Sequence, residues 1–342
     1  MNKPKIYVSC KTIGDAVDRL KERFNVTYRD NPHPAAISEI QSVVRDVDAL
    51  ICVLDDKIDS EFLSSCSKLK VVANVAVGYD NIDVDEATRR GILVLNTPGV
   101  LTNATADLAF ALLLAASRRI AESDRLVRSG KWSGWSADFM LGRELSNKTL
   151  GIVGMGRIGE AVARRAAAFG MSIVYTRRGD EEKDSRLKDV YGAIRVSLGE
   201  LLSRSDFISI HCPLSEATRH LIGKSEFARM KPECILINTS RGAVLDQAAL
   251  IDALKTGRIA GAGLDVYEGE PGVPQELCKM DNVVLCPHIG SATIETRAAM
   301  SDLAVDGVLS AFAGVLPRNA VNDEIWAKSV LSGAQVTERG KV

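Results

Sequence analysis

Short apolar runs alternate with amphipathic stretches along most of this chain. Ile6-Tyr-Val8, Ala49 to Val53, Val71 to Val75 and Ile92 to Leu95 have the length and β-branched content of buried strands. Asp15 to Phe24 and Ser60 to Ser67, between them, carry helical spacing. Such a β-α rhythm predicts a parallel sheet with helices on both faces. Thr97-Pro98-Gly99 interrupts the rhythm and is a candidate hinge. A long helix is predicted next, from near Thr105 to about Arg128, dense in apolar residues from Leu108 to Leu114 and charged afterwards. A second β-α series opens at Leu150, with strands predicted near 172–175, 206–210, 234–238, 261–265 and 283–285. Another long helix, Thr293 to Phe312, follows Pro287, and Leu316 to Asn322 is expected to return to the first series. The predicted fold class is α/β with two doubly wound domains. One comprises residues 1–98 and 315–342, and the other, 99–314, is inserted into it, with the long helices near 105–128 and 293–312 bridging them. Gln335 to Val342 is polar and expected to fray.

A chain of 342 residues exceeds one ordinary core and suits two domains. Hydrophobic residues at 46% and charged ones at 25% are the balance of a soluble globular protein. The net charge of −1, from 43 basic and 44 acidic residues, offers no general attraction to nucleic acid or an anionic membrane. The seven cysteines (10, 52, 66, 212, 234, 278 and 286) are scattered and never spaced C-x-x-C. That argues against structural zinc, any metal site built on them, or a disulfide framework, and favours a reducing cytoplasm. The apolar run at the N-terminus is too short for a signal peptide. The longest one, Leu108 to Ala116, reads as a buried helix and not a membrane span.

The most informative segment is Thr149-Leu-Gly-Ile-Val-Gly-Met-Gly-Arg-Ile-Gly-Glu160. An apolar strand runs into Gly154-x-Gly156-x-x-Gly159, and helix-forming residues Glu160 to Phe169 follow at once. This is the pattern of a dinucleotide-binding turn: one glycine for the tight turn, one for the approach of backbone to a pyrophosphate, one for helix packing on strand. The phosphates then meet free N–H groups and the positive end of the helix dipole. The next strand, Ser172 to Tyr175, ends in Thr176-Arg177-Arg178. An NAD site usually has Asp or Glu there for the ribose 2′-hydroxyl. A carboxylate would repel a 2′-phosphate, whereas guanidinium groups pair with one, so NADP(H) is expected to be preferred, with NAD(H) as the alternative cofactor. The plainer reading makes Arg177 and Arg178 solvated charges beside Asp180, Glu181 and Glu182.

Four separated signatures carry a resemblance over nearly the whole chain. They are Val75-Ala-Val-Gly-Tyr-Asp-Asn-Ile-Asp83, Gly151 to Gly159, Leu236-Ile-Asn-Thr-Ser-Arg-Gly-Ala-Val-Leu-Asp246, and Gly261 to Pro271 with Pro287-His-Ile-Gly-Ser-Ala-Thr293. The chain resembles the D-isomer-specific 2-hydroxyacid dehydrogenases, and most of all their glyoxylate/hydroxypyruvate reductase branch, some members of which also take 2-ketogluconate. Lys131-Trp-Ser-Gly-Trp135 to Gly142 is similar to that branch too. The resemblance implies a Rossmann dinucleotide-binding domain inserted into a flavodoxin-like substrate domain. It implies cofactor contacts at Gly154, Gly156, Arg157, Ile158 and Gly159 in the turn and at Thr176, Arg177 and Arg178 after the next strand. It implies others at Thr105, Cys212, Pro213, Thr218, Thr239, Ser240 and Gly290, with Arg241 and His288 bordering both cofactor and substrate.

Reduction of a 2-keto acid needs a cation for the carboxylate, an acid for the developing alkoxide and a hydride donor. Arg241 follows the apolar strand Cys234 to Ile237, at the carboxyl end where doubly wound sheets bind ligands. Its fork suits a carboxylate and can polarise the neighbouring ketone; from position alone an ordinary salt bridge remains open. Among the four histidines (33, 211, 220 and 288), His288 is the natural proton donor, because an imidazole titrates near neutrality. Glu270, before Pro271, resembles the family's glutamate that pairs with this histidine and would favour its imidazolium form. By resemblance Asp265 helps to place the nicotinamide side. Val77 and Gly78 are expected to offer backbone N–H groups to the substrate carboxylate, with Asn81 supporting their loop. Trp132 and Trp135 are candidates for a subunit contact; the resemblance implies a homodimer in which Trp135 borders the partner's active site, with plain interface packing as the alternative. The catalytic set is therefore Arg241, Glu270 and His288.

One rival is an NAD-linked dehydrogenase of D-lactate or 3-phosphoglycerate type, which the arginine pair disfavours. Another is a nucleotide-sensing corepressor on the same fold, which needs a peptide groove and long disordered tails and has no use for a complete proton-transfer set.

Overall fold

A computed structural model describes residues 3–331 apart from 32, 34, 35, 180 and 330, so the polar end from Gln335 lies outside the described residues. The chain divides into two units, Met1–Leu101 with Ala292–Val342, and Thr102–Ser291. Among the described residues no helix is long and apolar enough to cross a membrane.

The first unit holds strands β1 (Lys5–Val8), β2 (Asn25–Tyr28), β3 (Ala49–Cys52), β4 (Val71–Asn74) and β5 (Leu93–Leu95). They form one parallel sheet in the order β2-β1-β3-β4-β5, the flavodoxin-like arrangement. Every residue of β3 and β4 is buried, because helices cover both faces, and that is why these strands read as continuous apolar runs. Strand β2 was not anticipated from the sequence. It is an edge strand of pattern Asn-Val-Thr-Tyr, no residue of which is fully buried, so burial leaves little imprint on its composition.

The helix Ile294–Phe312 packs on β4 and on the helix Ala16–Arg23. Phe312 meets the Phe24 ring at 5.3 Å, and Asp302 accepts from Arg19 at 3.1 Å. Its apolar face is covered by first-unit elements, so the second crossing between units falls at 291/292, ahead of the helix, and not at 314/315 as the periodicity predicts. The chain then runs along β5, with Val321 N donating to Val94 O at 2.8 Å and Asn96 N to Asn319 O at 3.2 Å.

The second unit is a seven-stranded parallel sheet: β6 (Thr149–Val153), β7 (Ser172–Thr176), β8 (Ile194–Arg195), β9 (Phe207–Ile210), β10 (Ile235–Asn238), β11 (Gly261–Leu264) and β12 (Val283–Leu285). The order β12-β11-β10-β9-β6-β7-β8 reverses direction between β6 and β9, which opens a crevice at their carboxyl ends. Strand β8, two exposed edge residues, was also missed in the sequence.

The single long helix predicted from Thr105 to Arg128 is two helices, Thr102–Ser117 and Ile120–Arg128. Arg119 adopts the left-handed conformation (φ 54°) between them. The Ser117 carbonyl accepts from Arg143 N at 2.8 Å, so a tertiary hydrogen bond takes the place of the next helical one. Helical propensity on either side gives no warning of this.

Candidate active site

The glycine turn sits at the reversal point between β6 and β9. Gly154 has φ +98°, and a Cβ there would lie 2.5 Å from Cys212 N, so only glycine lets the β6 and β9 exits touch. A Cβ at Gly159 would lie 2.2 Å from Gly154 O, which presses the helix Arg157–Ala168 onto the strand. At Gly156 no protein atom comes within 4 Å of a built Cβ, and no side chain caps the helix that starts there. The open side of the turn and the uncapped helix start fit a pyrophosphate. Thr176 closes the turn by accepting Gly154 N at 2.9 Å. After β10, two strands along the sheet from β6, Thr239 Oγ1 is buried with no hydrogen-bond partner. An unmet buried hydroxyl costs roughly 1–3 kcal/mol, so a ligand atom there would be favoured. These features together fit a nicotinamide dinucleotide.

The loops after β10, β11 and β12 assemble the chemistry. His288 sits in the left-handed region at φ 55°, a conformation unfavourable for a non-glycine residue. Asp265 holds it there. Its carbonyl accepts His288 N at 2.9 Å, Oδ1 accepts Ile289 N at 2.8 Å and Oδ2 accepts Gly290 N at 2.7 Å. Both carboxylate oxygens of Asp265 thus clamp the histidine turn. Burial pushes this carboxyl up, against the pull of those N–H groups and of His288. Thr105, on the helix Thr102–Ser117, packs against the same turn, with its Cγ2 3.4 Å from a Cβ built at Gly290.

The His288 ring meets Glu270: Nδ1 to Oε2 is 2.7 Å, with each side chain about a quarter exposed (25% and 24%). The other oxygen, Oε1, accepts Tyr267 N at 2.8 Å, which fixes the carboxylate plane. Burial pushes the Glu270 carboxyl up, but the hydrogen bond and charge of His288, the Tyr267 N–H and the Arg241 guanidinium outweigh it and hold it below the ordinary range. Arg241 is therefore close enough for its charge to act on Glu270.

Backbone packing brings Arg241 to that position. A Cβ at Gly242 would lie 1.9 Å from Tyr267 C and 2.3 Å from Glu268 N, so the Arg241 loop lies backbone to backbone on the Glu270 loop. The Arg241 carbonyl accepts Asn238 Nδ2 at 2.9 Å, while Asn238 Oδ1 takes both N and Oγ of Ser240 at 3.0 Å. Gly242 was absent from the expected site residues. Its signal in the sequence was a glycine directly after the candidate Arg241.

Other expected residues divide by role. Thr218 donates its hydroxyl to Pro213 O at 2.7 Å and so shapes its own loop. Burial holds the His211 imidazole down to about 3, and Ser209 Oγ lies 2.8 Å from its Nε2, so this half-buried histidine is neutral. Arg177 is not a solvated charge: its side chain is 12% exposed and its Nε donates to Asp184 at 2.8 Å, whereas Arg178 is exposed. In the first unit, Asn96 Nδ2 donates to Val77 O at 2.8 Å and Asn74 Nδ2 to Gly78 O at 2.9 Å. The Val77 and Gly78 N–H groups find no acceptor among the described residues. Asn81 ties the loop further, accepting from Asn74 at 3.0 Å and donating to Asp56 O at 2.9 Å. The buried Asn74 was not anticipated, although a polar residue ending an apolar strand is a signal that it holds something.

Residues 110–290 match the family described as D-isomer specific 2-hydroxyacid dehydrogenase, NAD binding domain. The chain belongs to the D-isomer-specific 2-hydroxyacid dehydrogenases. This dehydrogenase is 49% identical to a glyoxylate reductase of Thermococcus litoralis over 334 residues, 96% of this chain and 99% of that protein. It is 50% identical to a glyoxylate reductase of Korarchaeum cryptofilum over 328 residues, covering 94% and 97% of the two chains. Among solved structures it resembles an NADPH-dependent glyoxylate/hydroxypyruvate reductase of Sinorhizobium meliloti in complex with NADP and malonate. That likeness has a TM-score of 0.83 at 35% identity and covers 94% of this chain and 98% of that one. The two parallel-sheet α/β units, one of them a Rossmann domain, are the family's fold.

Two outcomes are expected of the dehydrogenase. Gly242→Ala should force the two loops apart, destabilise the protein by about 1–3 kcal/mol and depress turnover; thermal melting and steady-state rates check this, and an unchanged pair of values would contradict it. Because the folded Glu270 carboxyl titrates below its unfolded value, its stabilisation is present above the ordinary carboxylate range and lost as pH falls through the lowered value. Glu270→Gln should therefore melt below the parent at pH 7 and converge with it in acid. A difference that stays constant down to pH 3 would rule the ion pair out.

Proposed function

We propose that this dehydrogenase reduces small 2-keto acids, glyoxylate and hydroxypyruvate foremost and 2-ketogluconate as a further candidate, with NADPH as the preferred reductant. Where the product is chiral, it is the D-2-hydroxy acid. The observation that carries the reading is the 2.7 Å His288–Glu270 pair under the charge of Arg241. When bound, the reduced nicotinamide supplies the hydride that the carbonyl carbon accepts.

Arg241 holds the substrate carboxylate with its fork and draws electron density from the adjacent carbonyl oxygen. Glu270 occupies Nδ1 of His288, so Nε2 is the nitrogen from which a proton reaches the developing alkoxide. An ionised Glu270 stabilises the imidazolium before that transfer and orients the ring throughout. Asp265 keeps the histidine turn in its strained shape, so the acid does not have to be reordered at each turnover. The unpaired Val77 and Gly78 amides are donors of the kind a carboxylate takes.

The cofactor preference rests on Arg177 and Arg178 after β7, where no acidic residue stands at the strand end. The names of the relatives support the substrate class, and the NADP complex of the Sinorhizobium enzyme supports the reductant. Trp135 is 84% exposed and Trp132 57%, with Leu141 at 66% in the same segment. We assign this apolar segment to a second copy of the chain, in a homodimer where Trp135 borders the partner's active site.

His288→Ala should lose about 10²–10⁴-fold in turnover while binding NADPH as the parent does, measured by steady-state rates and by titration of cofactor fluorescence. Unchanged turnover would remove the proposed acid. Replacing both Arg177 and Arg178 by Ala should raise the KM for NADPH about 10-fold or more, each charged hydrogen bond contributing about 1.5–3 kcal/mol, and leave that for NADH almost unmoved. Equal effects on both cofactors would refute the phosphate role.

A further inference from the structure

We propose that Asp184, on the helix Glu181–Tyr191, is a positioning residue for cofactor selection: it fixes the Arg177 guanidinium and its turn in the shape that receives a 2′-phosphate. The inference rests on the NADP(H) reading above and names residues which that reading leaves unexplained.

The carboxylate gathers donors from three places in the sheet. Oδ1 accepts the Tyr175 hydroxyl at 2.7 Å and Arg177 Nε at 2.8 Å, and Oδ2 accepts Arg195 Nη1 at 2.9 Å. Arg195, on the edge strand β8, reaches further. Its Nη1 donates to Gly179 O at 3.1 Å and its Nη2 to Arg177 O at 3.0 Å. The Arg177–Gly179 turn is thus held at its side chain by Asp184 and at its carbonyls by Arg195, itself anchored to the same carboxylate. Arg177 and Asp184 are only 12% and 18% exposed, so their mutual bond is partly shielded from water, whereas Arg195 at 36% lies nearer the surface.

Electrostatics bears this out. Burial pushes the Asp184 carboxyl up, yet the Tyr175 hydroxyl and the two guanidiniums bring it down to about 2, so it is an anion at any working pH. Burial and the same carboxylate push the Tyr175 hydroxyl up to about 12, which keeps it a donor.

An anion at this place has two opposed effects on a phosphate. It subtracts from the positive charge of Arg177 and Arg195, which weakens attraction. It also removes the rotamer freedom of a long side chain, so less order is lost when the guanidinium forks onto phosphate oxygens. Our inference is that positioning wins, and the sign of one substitution decides it. Asp184→Asn removes the repulsion and loosens the anchor together.

Calorimetric titration with adenosine 2′,5′-bisphosphate and with 5′-AMP reads the 2′-phosphate without hydride transfer. The parent should bind the bisphosphate more tightly than AMP. In Asp184→Asn the bisphosphate affinity should fall about 10-fold, with AMP within about 2-fold of the parent. Tyr175→Phe alters no charge and should lose a few-fold in the same selective way, which keeps the test sharp if the first variant fails to fold. Tighter or unchanged bisphosphate binding in Asp184→Asn overturns the proposal, as does unaltered selectivity in Tyr175→Phe when that variant stands alone. A parent that binds both probes equally overturns the NADP(H) reading, and this inference with it. A selective parent with equally selective variants overturns this inference alone.

Discussion

Two loops meet backbone to backbone at Gly242, and the placement of Arg241 beside the Glu270 loop depends on that contact. With no side chain at this position, the residue after Arg241 lies against the Tyr267–Glu268 peptide at a separation no Cβ could share. The carboxyl ends of β10 and β11 are thereby locked together, and with them the guanidinium and the carboxylate they carry. Strand β12 delivers the third member through His288. Arg241, Glu270 and His288 thus come from three neighbouring parallel strands, and their arrangement follows from sheet register and one glycine.

Order around Arg241, Glu270 and His288 is built by a layer of supporting polar groups. Asp265 accepts three backbone N–H groups of the histidine turn, which holds the histidine in a backbone conformation it would not adopt alone. Asn238 performs the same service for the Arg241 loop. Such strain at His288 persists because the surroundings over-determine it. Tyr175, Asp184 and Arg195 form a comparable brace at the other end of the Rossmann sheet.

Much of this was legible in the sequence, for physical reasons. Strands β3, β4, β9 and β10 are buried on both faces, so they must be apolar throughout and announce themselves. Gly154, Gly156 and Gly159 are legible because each meets a separate demand of the turn. Edge strands β2 and β8 were not legible, since water covers part of them and their composition is free to vary. The break at Arg119 was invisible because its cause, the Arg143 N–H on the Ser117 carbonyl, lies far along the chain. The affiliation of the helix Ile294–Phe312 was hidden in the same way, since periodicity reveals an apolar face without saying which sheet covers it. Asp184 reads as one more acid on a charged helix until folding sets it over β7 and β8.

If Glu270 and His288 work as one coupled unit, a double-mutant cycle on turnover will reveal it. Rates with glyoxylate and NADPH would be compared for Glu270→Gln, His288→Gln and the pair together. The double variant should be about as slow as His288→Gln alone, because the glutamate would act only through the ring it orients. Losses that multiply, as for two independent residues, would contradict it.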